Sequence, residues 1–492
     1  MNTDILTTTS EQMSDSRLDY KRTIADLPGP KPAPLVGNLL QLGGRQLHLT
    51  IEDWIRQHGL AFKLRIYDTP VLVVADHNLV TRILRDRPAA FRRSAGTVNI
   101  MKELKIAGVF TAEGDDWRNQ RKLIMRGLNA EVVRNYFPTM VRMTQRMLTR
   151  WTTALQNGRE VDLHRDLKAM ALDVVVGIAM GYDLGALNND GNQLQSDIDN
   201  IFLALGRRSA ALFPLWRHIR LPVERTADKS AADIEKKVAE FIQATRKRME
   251  QQPQLRQKPG NMLEAMIAAS EDSGSHFTDQ ELIGNAITTV VGGEDSSANS
   301  IAWMISQLAQ NPEAAAKLAA EADAVLGKEL VANDWDMMSR FSYLDATHNE
   351  SQRLRSVSPL TAVIANGDCV VGDIFVPKDT AVLLSLNAAG LDETHFPNRD
   401  AFLPERWIFE EKPDEADDPA RKLFPFGGGP RLCPGRFLAL TEIKIVMSML
   451  MRNFELELDH DAPPVKQIMN FFMVPSGIPV RLKLRSKPGD AS

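Results

Sequence analysis

The segment Phe426-Gly427-Gly428-Gly429-Pro430-Arg431-Leu432-Cys433-Pro434-Gly435 constrains this chain more than any other, because it holds one of only two cysteines in 492 residues. Its glycines and prolines fix a tight turn and let another group approach the backbone closely. An apolar helix is predicted directly after it, from about Arg436 to Arg452, so Cys433 sits just ahead of a helix N-terminus. The positive end of the helix dipole favours the thiolate, the form that binds metals or attacks electrophiles. Arg431 adds a permanent cation two residues from the sulfur. Three readings fit such a cysteine: a thiol without a chemical role, a nucleophile, or a metal ligand. A nucleophile needs a base, and no histidine lies between His395 and His460.

Bulk properties narrow the field. An apolar share of 43 % supports a substantial core, and a net charge of −4 gives no overall basic character for nucleic acid. Two cysteines, Cys369 and Cys433, make no disulfide framework, which fits a reducing cytoplasm. The nine histidines are scattered, with no H-E-x-x-H or C-x-x-C zinc pattern. No apolar run in residues 1–27 reaches the roughly 20 residues of a spanning helix, and no signal-peptide core is present. Residues 1–27 are predicted to be a disordered or loosely docked tail, residues 28–485 one catalytic domain, and residues 486–492 a C-terminal tail. Ala171 to Tyr182 is apolar but interrupted by Asp173, and reads as a core helix.

Order begins at Leu27-Pro28-Gly29-Pro30-Lys31-Pro32-Ala33-Pro34, a stiff extended lead-in. Ala61 to Ile66 and Val71 to Val74 pattern as a β-hairpin, and His77 to Asp86 as a short helix. Residues 94–110 lack strong periodicity and read as a flexible apolar loop. Trp117-Arg118-Asn119-Gln120-Arg121 opens a helix through Arg126, with Trp117 and Arg121 four apart on one face. Residues 132–250 read as mostly helical, broken at Phe213-Pro214 and near Leu221-Pro222. Ile201 to Leu215 fits a mobile lid or ordinary core packing equally. The longest helix starts at Thr278, whose capping box with Glu281 is flanked by a Phe277–Leu282 staple, and runs to Gln310, roughly 50 Å at about 1.5 Å per residue. Its middle reads Gly292-Gly293-Glu294-Asp295-Ser296-Ser297. Paired glycines there cost about 1 kcal/mol each relative to alanine, so they serve either close helix packing or space for a ligand. The acidic stretch 410–419 reads as a solvated loop.

Taken together these elements resemble the cytochrome P-450 family. The form F-x-x-G-x-R-x-C-x-G, filled by Phe426, Gly429, Arg431, Cys433 and Gly435, is similar to its haem-binding loop, where the cysteine is the axial thiolate of haem iron. Trp117 and Arg121 match a W-x-x-x-R whose side chains hold haem propionates. Gly292 to Ser297 resembles the A/G-G-x-D/E-T-T/S oxygen-binding segment, with Ser296 where threonine is usual. Glu350 and Arg353 match E-x-x-R, and Arg406, in Pro404-Glu405-Arg406-Trp407, completes what would be a buried ionic lock under the haem loop. An arginine that often follows the E-x-x-R helix is missing from residues 359–367, and Arg93 is a candidate to replace it. The lead-in resembles the proline-rich hinge of the microsomal members, here without the anchor.

The resemblance implies a mainly α fold with small β-sheets and one long central helix over haem b. It implies a monooxygenase that inserts one atom of O₂ into a small apolar substrate, with Asp295 relaying protons and Ser296 binding the oxygen. A haem-thiolate isomerase or dehydratase and a non-catalytic haem sensor are the alternatives. With no flavin or iron–sulfur motif, electrons are expected from NAD(P)H through a separate ferredoxin, flavodoxin or flavin reductase. Its expected dock is a basic stripe of Arg118, Lys122 and Arg126, extended by Arg436 and Lys444. Substrate contacts are expected from residues 94–110, 201–215, Leu360 to Ile364, Val363 in particular, and Phe471-Phe472-Met473. No transmembrane anchor and no nucleic-acid partner are expected, and the protein is placed as cytoplasmic and soluble, with peripheral membrane contact at most.

Overall fold

The helix signalled by the Thr278 cap is the axis of the computed structural model, which describes residues 20–485 except 45, 190, 212, 272–277, 412 and 415–417. The helices, in chain order, are α1 (Leu47–His58), α2 (His77–Arg85), α3 (Ala95–Glu103), α4 (Gly114–Gly127), α5 (Ala130–Gln156) and α6 (Leu163–Met180). There follow α7 (Gln193–Ala210), α8 (Pro222–Gln251), α9 (Met262–Glu271), α10 (Asp279–Gln310), α11 (Pro312–Leu326), α12 (Ser342–Leu354) and α13 (Arg436–Asn453). Thr278 caps α10, and its side chain and that of Glu281 exchange the bonds of a capping box. Phe277, the outer half of the expected staple, lies outside the described residues, as do residues 1–19 and 486–492.

Helix α10 runs through the main core with α6 against it, and the glycine pair divides the two roles between its members. A methyl built on Gly293 would lie 2.6 Å from Val175 Cγ2 of α6, so this glycine permits close helix packing. A methyl on Gly292 would meet nothing within 4 Å. Gly292 is exposed although Val290, Val291, Glu294 and Asp295 around it are buried, so it faces an opening inside the fold.

Small sheets sit beside the helices. The strands are β1 (Arg22–Thr23), β2 (Ala61–Ile66), β3 (Thr69–Val74), β4 (Phe91–Arg93), β5 (Leu360–Ala365), β6 (Cys369–Val371), β7 (Ile374–Val376), β8 (Ala381–Ser385), β9 (Phe454–Leu458), β10 (Gln467–Met469), β11 (Met473–Pro475) and β12 (Val480–Leu484). The largest sheet has the order β2-β3-β8-β5-β4, mixing the expected antiparallel hairpin with a parallel β3–β8 pair.

Four expectations are corrected here. Residues 20–27 are not all tail: β1 pairs in parallel with β7, and Ile24 and Leu27 enter a core with Val371 and Ile374. Residues 95–103 form helix α3, which has no side-chain cap bond. It is held by burial of Ile100 and Met101 and by Glu103, which accepts bonds from Trp216 Nε1 at 2.9 Å and Arg217 Nε at 2.8 Å. Such distant partners leave no local periodicity to read. Val363 is a core residue, because strand alternation turns it with Ala365 onto Phe91, Val382 and Leu384. The lid segment is split: Ile201, Phe202, Ala204 and Leu205 are buried, while Phe213 and Leu215 are exposed.

The two glycines should respond oppositely to alanine. Gly292→Ala should raise apoprotein stability by about 1 kcal/mol through helix propensity. Gly293→Ala should lower it by roughly 1–3 kcal/mol through overpacking against Val175. Urea unfolding of both variants checks this, and equal effects would refute the division of roles.

Candidate active site

The cysteine loop is pinned from below by α12 and from the side by α2. Gly429 has φ +63°, and a side chain there would strike the Leu84 carbonyl oxygen at 2.2 Å, so only glycine fits. The Cys433 N–H donates to the Phe426 carbonyl at 2.9 Å, closing the turn. Phe426 stacks on His348 of α12 with ring centroids 6.2 Å apart. The thiol receives the Gly435 N–H and feels Arg121, and both favour thiolate, yet burial outweighs them and raises its pKa. The helix N-terminus alone therefore does not ionise this sulfur. A bound cation on it would.

Helix α12 supplies the lock. Glu350 accepts from Arg353 Nε and Nη2, each at 2.8 Å, from Arg406 Nε at 3.1 Å, from Trp407 Nε1 at 2.8 Å and from the Leu403 N–H at 2.8 Å. Arg353 spends its remaining donors on the carbonyls of Gly390, Arg399 and Ala401.

Above the loop the structure gathers more positive charge than it neutralises. Arg431 donates to the Ala112 carbonyl at 2.8 Å and to the Glu113 carboxylate, and its guanidinium lies 4.7 Å from the Trp117 ring centroid. Arg431 Nε and Nη1 and Arg87 Nε and Nη2 are buried without a partner. Arg93 bonds the Phe110 carbonyl at 2.9 Å, and Arg121 bonds that of Leu432. Burial lowers Arg431 to about 10 and Arg93 to about 9, with neighbouring arginines adding to the effect. Among the described residues, Glu113 is the only carboxylate that raises Arg87, Arg93 or Arg431. Buried, unbonded guanidinium nitrogens are costly, so this cradle fits an anionic group.

Beside it three segments from distant parts of the chain bring aromatic rings together. Phe110 meets Phe471 edge-on at 5.8 Å, Phe471 meets Phe472 at 5.0 Å, and Phe472 meets Phe202 at 5.9 Å. Arg93 lies 3.5 Å over the Phe110 ring, joining the aromatic wall to the cationic cradle. The Phe110 segment is held to α10, where the Val109 N–H donates to Asn285 Oδ1 at 2.8 Å.

On α10, Ser296 Oγ donates to the Gly292 carbonyl at 2.9 Å, beside the opening. Asp295 is buried and pairs at 3.2 Å with Lys168 Nζ of α6. Of the basic stripe, Arg118, Lys122, Arg126 and Arg436 are exposed, with Arg118 paired to Asp115. Lys444 does not extend it, because its ammonium is tied to the Met338 carbonyl and to Asp345, each at 2.8 Å. Cys369 lies at the start of β6. Sequence reasoning missed Arg87, Glu113 and Lys168, whose partners lie far along the chain and leave no local pattern.

A cytochrome P450 family model matches residues 27–482, and the chain belongs to the cytochrome P450 family. It is similar to sugiol synthase of Salvia miltiorrhiza, 28 % identical over 92 % of this chain and 93 % of that protein. It is also similar to ferruginol synthase of Salvia fruticosa, at 27 % over 94 % and 95 %, and to cytochrome P450 3A6 of Oryctolagus cuniculus, at 25 % over 94 % and 92 %. The chain is thus a monooxygenase of a family that uses haem and O₂ with electrons from a redox partner. No described helix is long and apolar enough to cross a membrane.

The buried His348 makes the loop's support acid-sensitive. Burial, helped by Lys444 and Arg436, lowers its pKa from 6.5 to about 4. The unfolded chain therefore binds a proton before the folded one does, and stability falls as pH drops from about 6.5 through 4. The loss is on the order of 3 kcal/mol. His348→Phe should remove this part of the acid dependence, read from urea midpoints across that range.

Proposed function

We propose that Cys433 would be the thiolate ligand of a haem b whose carboxylates would be held by Trp117, Arg121, Arg431, the candidate Arg93 and, beyond the residues expected, Arg87. The observation that carries this reading is the set of four orphaned guanidinium nitrogens on Arg87 and Arg431, buried in the cradle beside the Cys433 loop. A bound haem with a thiolate ligand supplies O₂ activation. The chain's residues do the rest. Phe110, Phe202, Phe471 and Phe472 exclude water and hold an apolar organic substrate. Ser296, at the opening beside Gly292, holds a proton on Oγ, and Asp295 stands next to it as the acid of the pair. Electrons come from NAD(P)H through a separate acidic partner that docks on Arg118, Lys122 and Arg126.

Cys433→His should abolish the strongly red-shifted Soret band of the ferrous–CO complex, whereas Cys369→Ala should keep it. An unchanged spectrum for Cys433→His would sink the ligand assignment. Ser296→Ala should keep haem and divert reducing equivalents from NAD(P)H to peroxide. Full coupling of NAD(P)H use to product in that variant would exclude the proton role.

Arg118→Glu with Lys122→Glu should slow reduction by the partner about tenfold or more at low ionic strength, and less at high salt. Peroxide-supported turnover should survive. If both routes fell together, the residues would serve folding and not docking.

A further inference from the structure

The opening at Gly292 has a second charged cluster behind it, of which the reading above uses only Asp295. Glu294 is fully buried, and both of its carboxylate oxygens lack a hydrogen-bond donor. Its nearest counter-charge is Lys168 Nζ, at 3.6 Å from Oε1. Lys168 is shared: it also pairs with Asp295 at 3.2 Å and with Asp199 of α7. Three carboxylates thus face one ammonium, and no other charged group from α6, α7 or α10 enters the balance at Glu294. Asp199 is bonded to Lys168 and its side chain is 44 % exposed. Asp295 stands closer to the lysine than Glu294 does. Glu294 is the member with neither a donor nor solvent, so a proton on it relieves the excess negative charge at least cost.

We propose that Glu294 is held as a neutral acid and serves as the proton store behind Asp295 and Ser296, with the Asp199–Lys168 pair setting when it releases. On release, the Glu294 O–H bond breaks, the proton passes toward Asp295, and the carboxylate left behind is balanced by Lys168, which stays an ammonium throughout. Water returns the proton to Glu294, so the cycle needs no other reactant. The direction of control follows from Coulomb's law. Asp199 competes with Glu294 for the one cation, so drawing Asp199 away leaves Lys168 to stabilise ionised Glu294. Asp199 lies one turn before Phe202, which packs on Phe472 in the aromatic wall. A substrate that displaces Phe202 shifts Asp199 as well, and so readies the store when the pocket fills. This role rests on the monooxygenase reading, but its charge logic does not.

The test is infrared spectroscopy of the ferric protein as isolated, following the carbonyl stretch of a buried protonated carboxylic acid through a pH titration. Wild type should show more than one such component at neutral pH, because burial also raises Glu52 to about 7 and Glu442 to about 8, and the component owed to Glu294 should be lost only on the alkaline side. Glu294→Gln should lack it, and Glu294→Asp, the variant to use if the amide fails to fold, should shift its frequency. Asp199→Asn should lower the pH at which the band disappears by about one unit or more, and Lys168→Gln should raise it. A spectrum with no component lost or shifted between wild type and the Glu294 variants, or a titration unmoved by Asp199→Asn, would overturn the proposal. The ferrous–CO spectrum of the same samples reports on Cys433 separately, so failure of the store and failure of the haem-thiolate reading are told apart.

Discussion

Glu350 is a carboxylate removed entirely from water, and the geometry of the cysteine loop depends on how it is satisfied. Its five hydrogen bonds come from Arg353, Leu403, Arg406 and Trp407, so every lone pair that burial strips of water is returned to a protein donor. Arg353, equally buried, is satisfied in turn by Glu350 and by three carbonyls between Gly390 and Ala401. Such a pair is costly to form and more costly to break on one side, since breaking it strands a charge. Its value here is positional. It ties the irregular chain between β8 and the loop to α12, the same helix whose His348 supports Phe426 at the loop's entrance.

Two other charge clusters contrast with this closed one. The lock sets one carboxylate against two guanidinium groups, and its hydrogen bonding is complete. The arginine cradle holds excess positive charge with buried N–H groups unbonded, and the Lys168 cluster holds excess negative charge with a carboxylate unbonded. Buried charges left unbonded call for an explanation, and a group from outside the polypeptide that completes them is one. For the cradle, the completing group must be anionic. For the Lys168 cluster, a proton suffices. Arg93 of the cradle lies over Phe110, and Asp199 of the second cluster is one turn before Phe202, so the two clusters touch the two ends of the same run of aromatic rings.

What could be read from the chain follows the range of each interaction. The Thr278 capping box, the β2–β3 hairpin and the spacing around Cys433 are set by neighbours within a few residues, and the linear pattern carries them. Helix α3 could not be read that way, because it is stabilised by Trp216 and Arg217, over a hundred residues on. Val363 was misread for a related reason: its strand is short, and which face meets the core depends on pairing with β4 and β8. Lys444 looked free because Asp345 is invisible from its own helix. The glycine pair is the instructive case. Two explanations competed for one dipeptide, and the structure assigns one to each residue.

The same stretch of α10 explains how a buried helix can be stiff in position yet adaptable in detail. Ser296 and Ser300 each return their hydroxyl to the carbonyl four residues back, as do Thr288 and Thr289. These bonds compete with the helix ladder and favour bending, and they concentrate around the glycines, where propensity is already low. Position is recovered sideways. Gly293 lets Val175 of α6 come within reach of the helix backbone, and Lys168 of the same helix binds Asp295. Helix α6 therefore holds α10 on the side away from the opening. On the open side nothing touches Gly292, and Ser296 has a single intrahelical bond to give up. The hydroxyl can turn toward a ligand at the cost of one weak bond, while the backbone that carries it stays anchored from behind.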